Sequence, residues 1–192
     1  LQSMPDASPV KWHLAHTTWF FETFVLERFV RGYRHFDPRY RVLFNSYYNA
    51  VGDKHPRPER GLLSRPTLDE VYSYRRQVED QLVPLVAQAE DDAELASLLE
   101  LGLQHEQQHQ ELILTDFKHL LSRNPLKPAY AQLPASDSTT AAVQRWVAFP
   151  AGLREIGAAS AFAADLLRHR AHDLAGLEPV GAIGRDARRE AH

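Results

Sequence analysis

The chain has 192 residues, a net charge of -3 and no cysteine. The length suits one ordinary domain and part of a second, and the mildly acidic balance lacks the basic surface of a nucleic-acid-binding protein. Without cysteine neither a disulfide framework nor a thiolate metal site can form, so any metal must be held by His, Asp or Glu.

The apolar runs of the sequence are short. None approaches the roughly 20 residues needed to span a bilayer. The first residues, "LQSMPDASPV", lack the basic-then-apolar pattern of a signal peptide. We therefore expect a cytoplasmic protein with no membrane partner and no nucleic-acid partner.

Residues 8–31 are predicted to form the first helix. Ser8 is a candidate N-cap, Pro9 suits the first helical position, and Gly32 can end the helix. The segment is apolar on nearly all sides, so its periodicity does not select one buried face.

Aromatic residues, followed by Pro and Gly, dominate residues 36–61. This composition predicts a short helix over 39–49 and then a long ordered loop. A loop of this length within a compact domain is often functional.

Two further helices are predicted with clear boundaries. Thr67 and Glu70 have the spacing of a capping box at the start of the second, and Pro84 should kink that helix or mark its last turns. The third covers 92–122 and stops before Asn-Pro at 124–125.

The composition changes after residue 125. Residues 126–144 are rich in Pro, Ser, Thr and Ala and are predicted to form a linker. The stretch "WVAFPAGLREIGA", 146–158, predicts one or two strands, and we expect weak order over 158–192.

Two histidines continue the apolar face of the third helix. Steps of three or four residues align Leu95, Leu98, Gly102, His105, His109, Leu112, Asp116 and Leu120. An i,i+4 pair of imidazoles, about 5–6 Å apart at Cβ, suits two ligands of one metal. The alternative is a pair of structural histidines that bind hydrogen-bond partners within the core.

Two other residues of this face bear on the choice. Gly102 lies one turn before His105, where it would leave space beside a ligand or permit close helix packing. Asp116 lies roughly 10 Å along the axis from His109 and cannot share a metal with both histidines. We expect Asp116 to make a helix-end or interhelical contact.

A third ligand could come from the first helix. The segment "WHLAH" contains His13 and His16, and periodicity does not choose between them. Either could instead be a core histidine bonded to a carbonyl group. Three imidazoles from two helices would leave open metal positions, as a catalytic site requires. They suit Fe(II), Zn, Ni or Cu, so the spacing does not identify the metal.

Three segments together resemble a known family: "SPVKWHLAHTTWFFETFVL", "FNSYYNAVGDKHPRPERGLLSRPT" and "HEQQHQELILTD". They resemble the N-terminal DinB-like domain of the ergothioneine-biosynthesis sulfoxide synthases (the EgtB family), over about residues 1–157. The resemblance implies a mainly α, up-down helical bundle. It also implies an O2-dependent oxidoreductase with non-haem Fe(II), which joins a thiol such as γ-glutamylcysteine or cysteine to Nα-trimethylhistidine as a sulfoxide.

The resemblance also implies functional residues. It assigns three metal ligands: His16, His105 and His109. It makes His13 a neighbour of the metal rather than a ligand. It further implies that Arg57 and Arg60, in "HPRPERG", bind carboxylates of the thiol substrate, a role that suits the guanidinium fork. The alternative is a pair of solvated loop arginines.

Two features depart from this family. The family has a further helix before "QSMPDASP", so we expect a bundle that lacks its first helix. Residues 145–192 resemble only the truncated start of the family's formylglycine-generating-enzyme-like (C-type-lectin-like) second domain, a short irregular or β remnant. We therefore expect a metal-binding domain at 1–125, a linker at 126–144 and an incomplete enzyme whose catalytic residues are unknown.

Two other functions are compatible with the same residues. Stand-alone DinB-like thiol transferases also carry three histidines on a bundle, usually with Zn or Ni. A non-catalytic bundle could instead act through its uncovered face, which would suit a second copy of the chain.

Overall fold

A computed structural model describes residues 1–132 and 144–153. Over these residues the fold is helical and has no strand. The helices are α1 (Val10–Phe21), α2 (Glu27–Phe29), α3 (Tyr40–Leu43), α4 (Leu68–Val86) and α5 (Ala93–Arg123). Short 3-10 helices cover Asn49–Val51, Arg57–Leu62 and Ala87–Glu90. Within this part of the chain no helix has both the length and the apolar character that crossing a bilayer demands.

The first helix is the centre of the bundle. α1 packs against both α4 and α5, and nine of its twelve residues are buried. This agrees with its apolar composition on nearly all sides and confirms the predicted mainly α helical bundle.

Both ends of the first helix differ from the prediction. α1 begins directly after Pro9, which is its N-cap, and no side chain caps it. Ser8 is not the cap, because its hydroxyl accepts a hydrogen bond from Arg60 Nη1 at 3.0 Å. At the other end a π-helical turn, Glu22–Leu26, links α1 to α2. Gly32 follows α2 with a positive φ of 73°.

A buried carboxylate lies at the start of this π-helical turn. Glu22 is 2% exposed and accepts hydrogen bonds from Tyr33 Oη at 2.7 Å, Phe36 N at 3.1 Å and Tyr74 Oη at 2.5 Å. Three donors offset the desolvation of the carboxylate. They also tie α1, α4 and the loop after α2 to each other.

The helix predicted over 39–49 is wrong in extent, since α3 has only four residues. The cause is Asn45, whose fully buried amide Nδ2 donates to three backbone carbonyls, those of Tyr48, Gly52 and Asp53. A side-chain amide that binds nearby backbone groups competes with helix formation. The rest of the segment is therefore an ordered loop, as predicted.

The predicted boundaries of the two long helices α4 and α5 are confirmed. Thr67 Oγ1 accepts from Glu70 N at 3.2 Å, and Glu70 Oε2 accepts from Thr67 N at 2.5 Å. Pro84 lies in the last turn of α4. Asp92 caps α5 by accepting from two N–H groups of the first turn.

The strands predicted over 146–158 are absent from the portion of that stretch that the structure describes. Residues 146–153 have no regular secondary structure and are exposed to solvent. A strand needs a neighbour for its backbone hydrogen bonds, and residues 1–132 offer none. Residues 133–143 and 154–192 lie outside the described residues, so the linker and second-domain assignments stay predictions.

Gly102 permits a close approach of α5 to α1. A Cβ at this position would lie 2.3 Å from Phe21 Cε1 and 2.5 Å from Phe21 Cζ. No side chain fits there unless the aromatic ring or a helix moves. Of the two reasons for a glycine beside His105, the structure favours close helix packing.

Replacing Gly102 with alanine should lower the free energy of unfolding by up to about 2.5 kcal/mol. Overpacking costs about 1–3 kcal/mol, and the better helix propensity of alanine returns about 0.5–1 kcal/mol. Urea unfolding measures the difference. Gln107→Ala, on the exposed side of α5, is the control and should change stability by less than about 0.5 kcal/mol. A Gly102→Ala protein more stable than the wild type would contradict this account of the contact.

Candidate metal centre

Four histidines from two helices meet in the interior of the bundle. His13 and His16 lie on α1, His105 and His109 lie on α5, and all four are buried. The rings of His16, His105 and His109 have centroids 4.6–4.9 Å apart. One nitrogen from each of these three rings lies within 4.8 Å of the others. The structure therefore brings together the three residues that the resemblance implied.

The hydrogen bond of His16 defines its protonation. His16 Nδ1 lies 2.6 Å from the carbonyl oxygen of Phe44. A carbonyl oxygen can only accept, so Nδ1 carries the hydrogen and Nε2 keeps its lone pair. This form of imidazole is suited to bind a metal through Nε2.

His13 packs against His109 and stays outside the group of three. Its Nδ1 lies 2.8 Å from His109 Nδ1, and its Nε2 lies 3.1 Å from Asp116 Oδ2. The same carboxylate oxygen accepts from Ser8 N at 2.8 Å. Asp116 thus makes the interhelical contact that the sequence predicts, and His13 is a neighbour of the cluster.

His105 has a buried nitrogen without a hydrogen-bond partner. Among the residues that the structure describes, no donor or acceptor contacts His105 Nδ1. An unsatisfied buried polar atom costs about 1–3 kcal/mol, which an ion bound to Nδ1 would offset. Converging nitrogens and an unpartnered ring fit a metal ion, so His16, His105 and His109 could hold one.

Burial keeps the imidazoles neutral. Desolvation lowers the pKa of His105 to about 4. Desolvation, and then the charge of His105, lowers the pKa of His109 to about 2. Desolvation also brings the pKa of His16 well below 6.5, and it lowers the pKa of His13 against the opposing effect of Asp116. At neutral pH these rings are uncharged, the form that metal binding requires.

A buried arginine lies beside the cluster. Arg60 is 4% exposed, and its Cζ lies 3.5 Å from the centroid of Trp12, which stacks on His16 at 4.6 Å. Arg60 Nη1 and Nη2 donate to Ser8 Oγ and Ser46 Oγ, each at 3.0 Å, and Nε is buried without a partner. Within residues 1–132 and 144–153, no carboxylate forms an ion pair with it.

Arg60 remains a cation despite its burial. Desolvation, and then the charge of Arg57, lowers its pKa to about 10, still far above neutral pH. A buried charge without a partner is strongly destabilising. The surroundings of Arg60 are therefore suited to an anion.

Arg57 lies nearer to solvent than Arg60. Its Nε donates to the carbonyl of Asp6 at 2.8 Å, and its Nη1 donates to Tyr47 Oη. Gln2 holds this loop from the other side, with its Nε2 2.8 Å from the carbonyl of Arg57. Neither arginine is a freely solvated side chain, as the alternative interpretation would require.

Three residues of this region were not predicted from the sequence to belong to the site. Trp12 lies four residues before His16, and that helical spacing could have indicated their contact. Ser8 and Ser46 gave no signal, because their contacts with Arg60 join segments far apart in sequence.

The fold and the site define a helical bundle with converging buried histidines. Residues 1–113 match the DinB superfamily. The match spans more than half of the 192 residues and includes all three histidines of the cluster. This chain therefore belongs to the DinB superfamily. No curated protein matches the chain.

Acid should destabilise the metal-free protein. The buried histidines have pKa values below the 6.5 of an exposed ring, so below pH 6.5 the unfolded chain binds more protons than the folded one. The free energy of unfolding then falls with falling pH, by up to about 1.4 kcal/mol per pH unit for each histidine. Urea unfolding at pH 7, 6 and 5 with a chelator measures this slope.

The control is a double variant, His105→Gln with His109→Gln. It lacks two of the titrating groups and should show a shallower decrease in stability over the same pH range. Equal slopes for the variant and the wild type would contradict the assignment.

Proposed function

We propose that this domain binds Fe(II) through His16, His105 and His109 and acts in a protein that resembles the sulfoxide synthases of ergothioneine biosynthesis. The observation that carries the proposal is the cluster of three neutral imidazoles near a buried arginine that forms no ion pair within the described residues. A cation site and an anion site side by side suit a substrate with both a thiol and a carboxylate.

The histidines support the metal half of the proposal. Nitrogens that share a metal at 2.0–2.1 Å lie about 3 Å apart, so the rings, whose nitrogens are up to 4.8 Å apart, would turn towards the ion. Three protein ligands leave positions for substrate. When bound, Fe(II) supplies a redox-active centre to which a thiolate can coordinate and which reacts with O2.

The proposed reaction uses a cysteine-type thiol, Nα-trimethylhistidine and O2. A C–S bond forms as the S–H bond and the imidazole C2–H bond break. Sulfur takes one oxygen atom, and the other leaves as water with the two hydrogens. Both substrates together lose four electrons, which O2 accepts.

The arginines support the recognition of the thiol. Ser8 and Ser46 hold the guanidinium of Arg60 against Trp12, and N–H groups remain for a carboxylate of γ-glutamylcysteine or cysteine. Arg57, nearer to solvent, could bind a second carboxylate. Positioned donors of this kind orient the thiol with respect to the histidines.

A second candidate is a Zn- or Ni-dependent thiol transferase. An all-imidazole ligand set favours it, because three histidines hold catalytic zinc in known enzymes, whereas many non-haem iron sites include a carboxylate. The thiol and its carboxylate recognition would be the same in both reactions.

Anaerobic Fe(II) titration should give one tightly bound ion per wild-type chain. A double variant, His105→Ala with His109→Ala, should bind at least 100-fold more weakly, because two of three ligands are lost. The control is His119→Ala, which removes a histidine of α5 that contacts Ser3. Equal, weak binding by the wild type and the double variant would end the proposal.

The metal content after expression distinguishes the two candidate functions. Mass spectrometry should find iron, and the iron-loaded protein should consume O2 when the thiol and Nα-trimethylhistidine are added together. A full complement of zinc, with no oxygen consumption after iron loading, would favour the thiol transferase.

Replacing Arg60 with methionine should abolish the preference for a carboxylate. A hydrogen bond to a charged group contributes about 1.5–3 kcal/mol. The iron-loaded wild type should therefore bind cysteine at least tenfold more tightly than cysteamine, which lacks the carboxylate. Arg60→Met should bind both thiols equally, and Arg60→Lys should keep part of the difference. Optical titration under anaerobic conditions measures all three, and a preference that survives in Arg60→Met would exclude this role.

A further inference from the structure

A chain of hydrogen bonds joins a carboxylate to one histidine of the cluster. Asp116 Oδ2 lies 3.1 Å from His13 Nε2, and His13 Nδ1 lies 2.8 Å from His109 Nδ1. His13 and His109 are 3% and 8% exposed, and the side chain of Asp116 is 13% exposed. The three groups come from two helices, so their alignment depends on the packing of α1 against α5.

Hydrogen-bond chemistry gives this chain one direction. An ionised carboxylate can only accept, so His13 Nε2 carries the hydrogen of its ring and donates it to Asp116. His13 Nδ1 then has a lone pair and accepts from His109 Nδ1–H. His109 Nε2 is consequently left without a hydrogen, with its lone pair free.

We propose that Asp116 and His13 are positioning residues that hold His109 in the Nδ1–H form, so that Nε2 is ready to bind a metal. The metal-binding part of this inference rests on the proposed function. The arrangement of protons is a property of the protein before any metal binds.

The three rings of the cluster differ in whether, and with which group, the nitrogen Nδ1 forms a hydrogen bond. His16 Nδ1 is held by the Phe44 carbonyl, and His105 Nδ1 has no partner within residues 1–132 and 144–153. Among the described residues, His109 is the only one of the three that is connected to a carboxylate. A negative charge at the far end of the chain polarises both rings and makes His109 a better donor to a cation.

The position of Asp116 is itself fixed by another contact. Ser8 N donates to Asp116 Oδ2 at 2.8 Å. The carboxylate oxygen therefore accepts from a backbone amide and an imidazole, which together define its place beside α1. A side chain that only capped a helix end would need no contact with His13.

Substitutions of Asp116 separate its charge from its role as an acceptor. Asp116→Asn keeps an acceptor oxygen of similar size, and Asp116→Leu removes it. Removal of a group that is hydrogen-bonded to a metal ligand typically lowers the affinity for the metal 10–100-fold. Fe(II) should bind 10–100-fold more weakly to Asp116→Leu and less than tenfold more weakly to Asp116→Asn. Glu111→Leu, at an exposed site of α5, is the matched control and should bind as the wild type does.

Nitrogen NMR of the metal-free protein reads the tautomers directly. In the wild type, long-range 1H–15N spectra should show that the His13 ring carries its one hydrogen on Nε2 and the His109 ring carries its one hydrogen on Nδ1. In Asp116→Leu the two rings should lose this fixed arrangement, while Asp116→Asn keeps it. The far-UV spectrum of each variant checks that the bundle is intact.

The outcomes distinguish this inference from the proposed function. A hydrogen on His109 Nε2, a His13 ring with two hydrogens, or unchanged metal affinity in Asp116→Leu would overturn the inference while leaving metal binding intact. Correct tautomers in a wild-type chain that binds no Fe(II) would overturn the proposed function, and with it the role in metal binding.

Discussion

The contact between Gly102 and Phe21 is the constraint on which the site depends. It allows the backbone of α5 to lie against an aromatic ring of α1, with no side chain between them. His105 and His109 follow on the same face of α5, one and two turns beyond this contact. Because the helices are so close at that point, imidazoles from both can meet without any loop between them.

Burial has different effects on the charge of the imidazoles and on the charge of Arg60. It makes the imidazoles neutral, because burial disfavours the charged form and lowers a pKa that is already close to neutral pH. The guanidinium of Arg60 cannot do so and stays charged. The interior therefore holds uncharged imidazole nitrogens and, linked to them by the contacts of Trp12, the N–H groups of a charged guanidinium. Glu22 is also buried, but unlike Arg60 its charged group already has three hydrogen-bond partners, from Tyr33, Phe36 and Tyr74.

Local signals in the sequence were sufficient for most of the fold. Thr67 and Glu70 determine the start of α4 through a bond between residues three apart, and the face of α5 follows from helical periodicity. Ser8 misled the prediction because its groups bind Arg60 and Asp116, which are distant in sequence. Asn45 limits α3 to four residues because its buried amide binds nearby backbone groups, and the composition of the segment does not reveal that burial.

The site was predictable only in part. Periodicity found His105 and His109, but the choice of His16 over His13 came from the family resemblance, since both lie on an apolar helix. The burial of Arg60 over Trp12 depends on tertiary packing. The strand prediction fails over residues 146–153 for a different reason, because a strand is stable only where another strand can pair with it.

Ser8 belongs to both halves of the site. Its amide donates a hydrogen bond to Asp116, which is linked to His109 through His13. Its hydroxyl accepts a hydrogen bond from the guanidinium of Arg60. If Arg60 moved when an anion bound, Ser8 would pass that movement to Asp116 and so to His109, a candidate metal ligand. Thermodynamic linkage then makes the effect mutual: by whatever factor a bound anion changes the affinity for a cation, the cation must change the affinity for the anion equally.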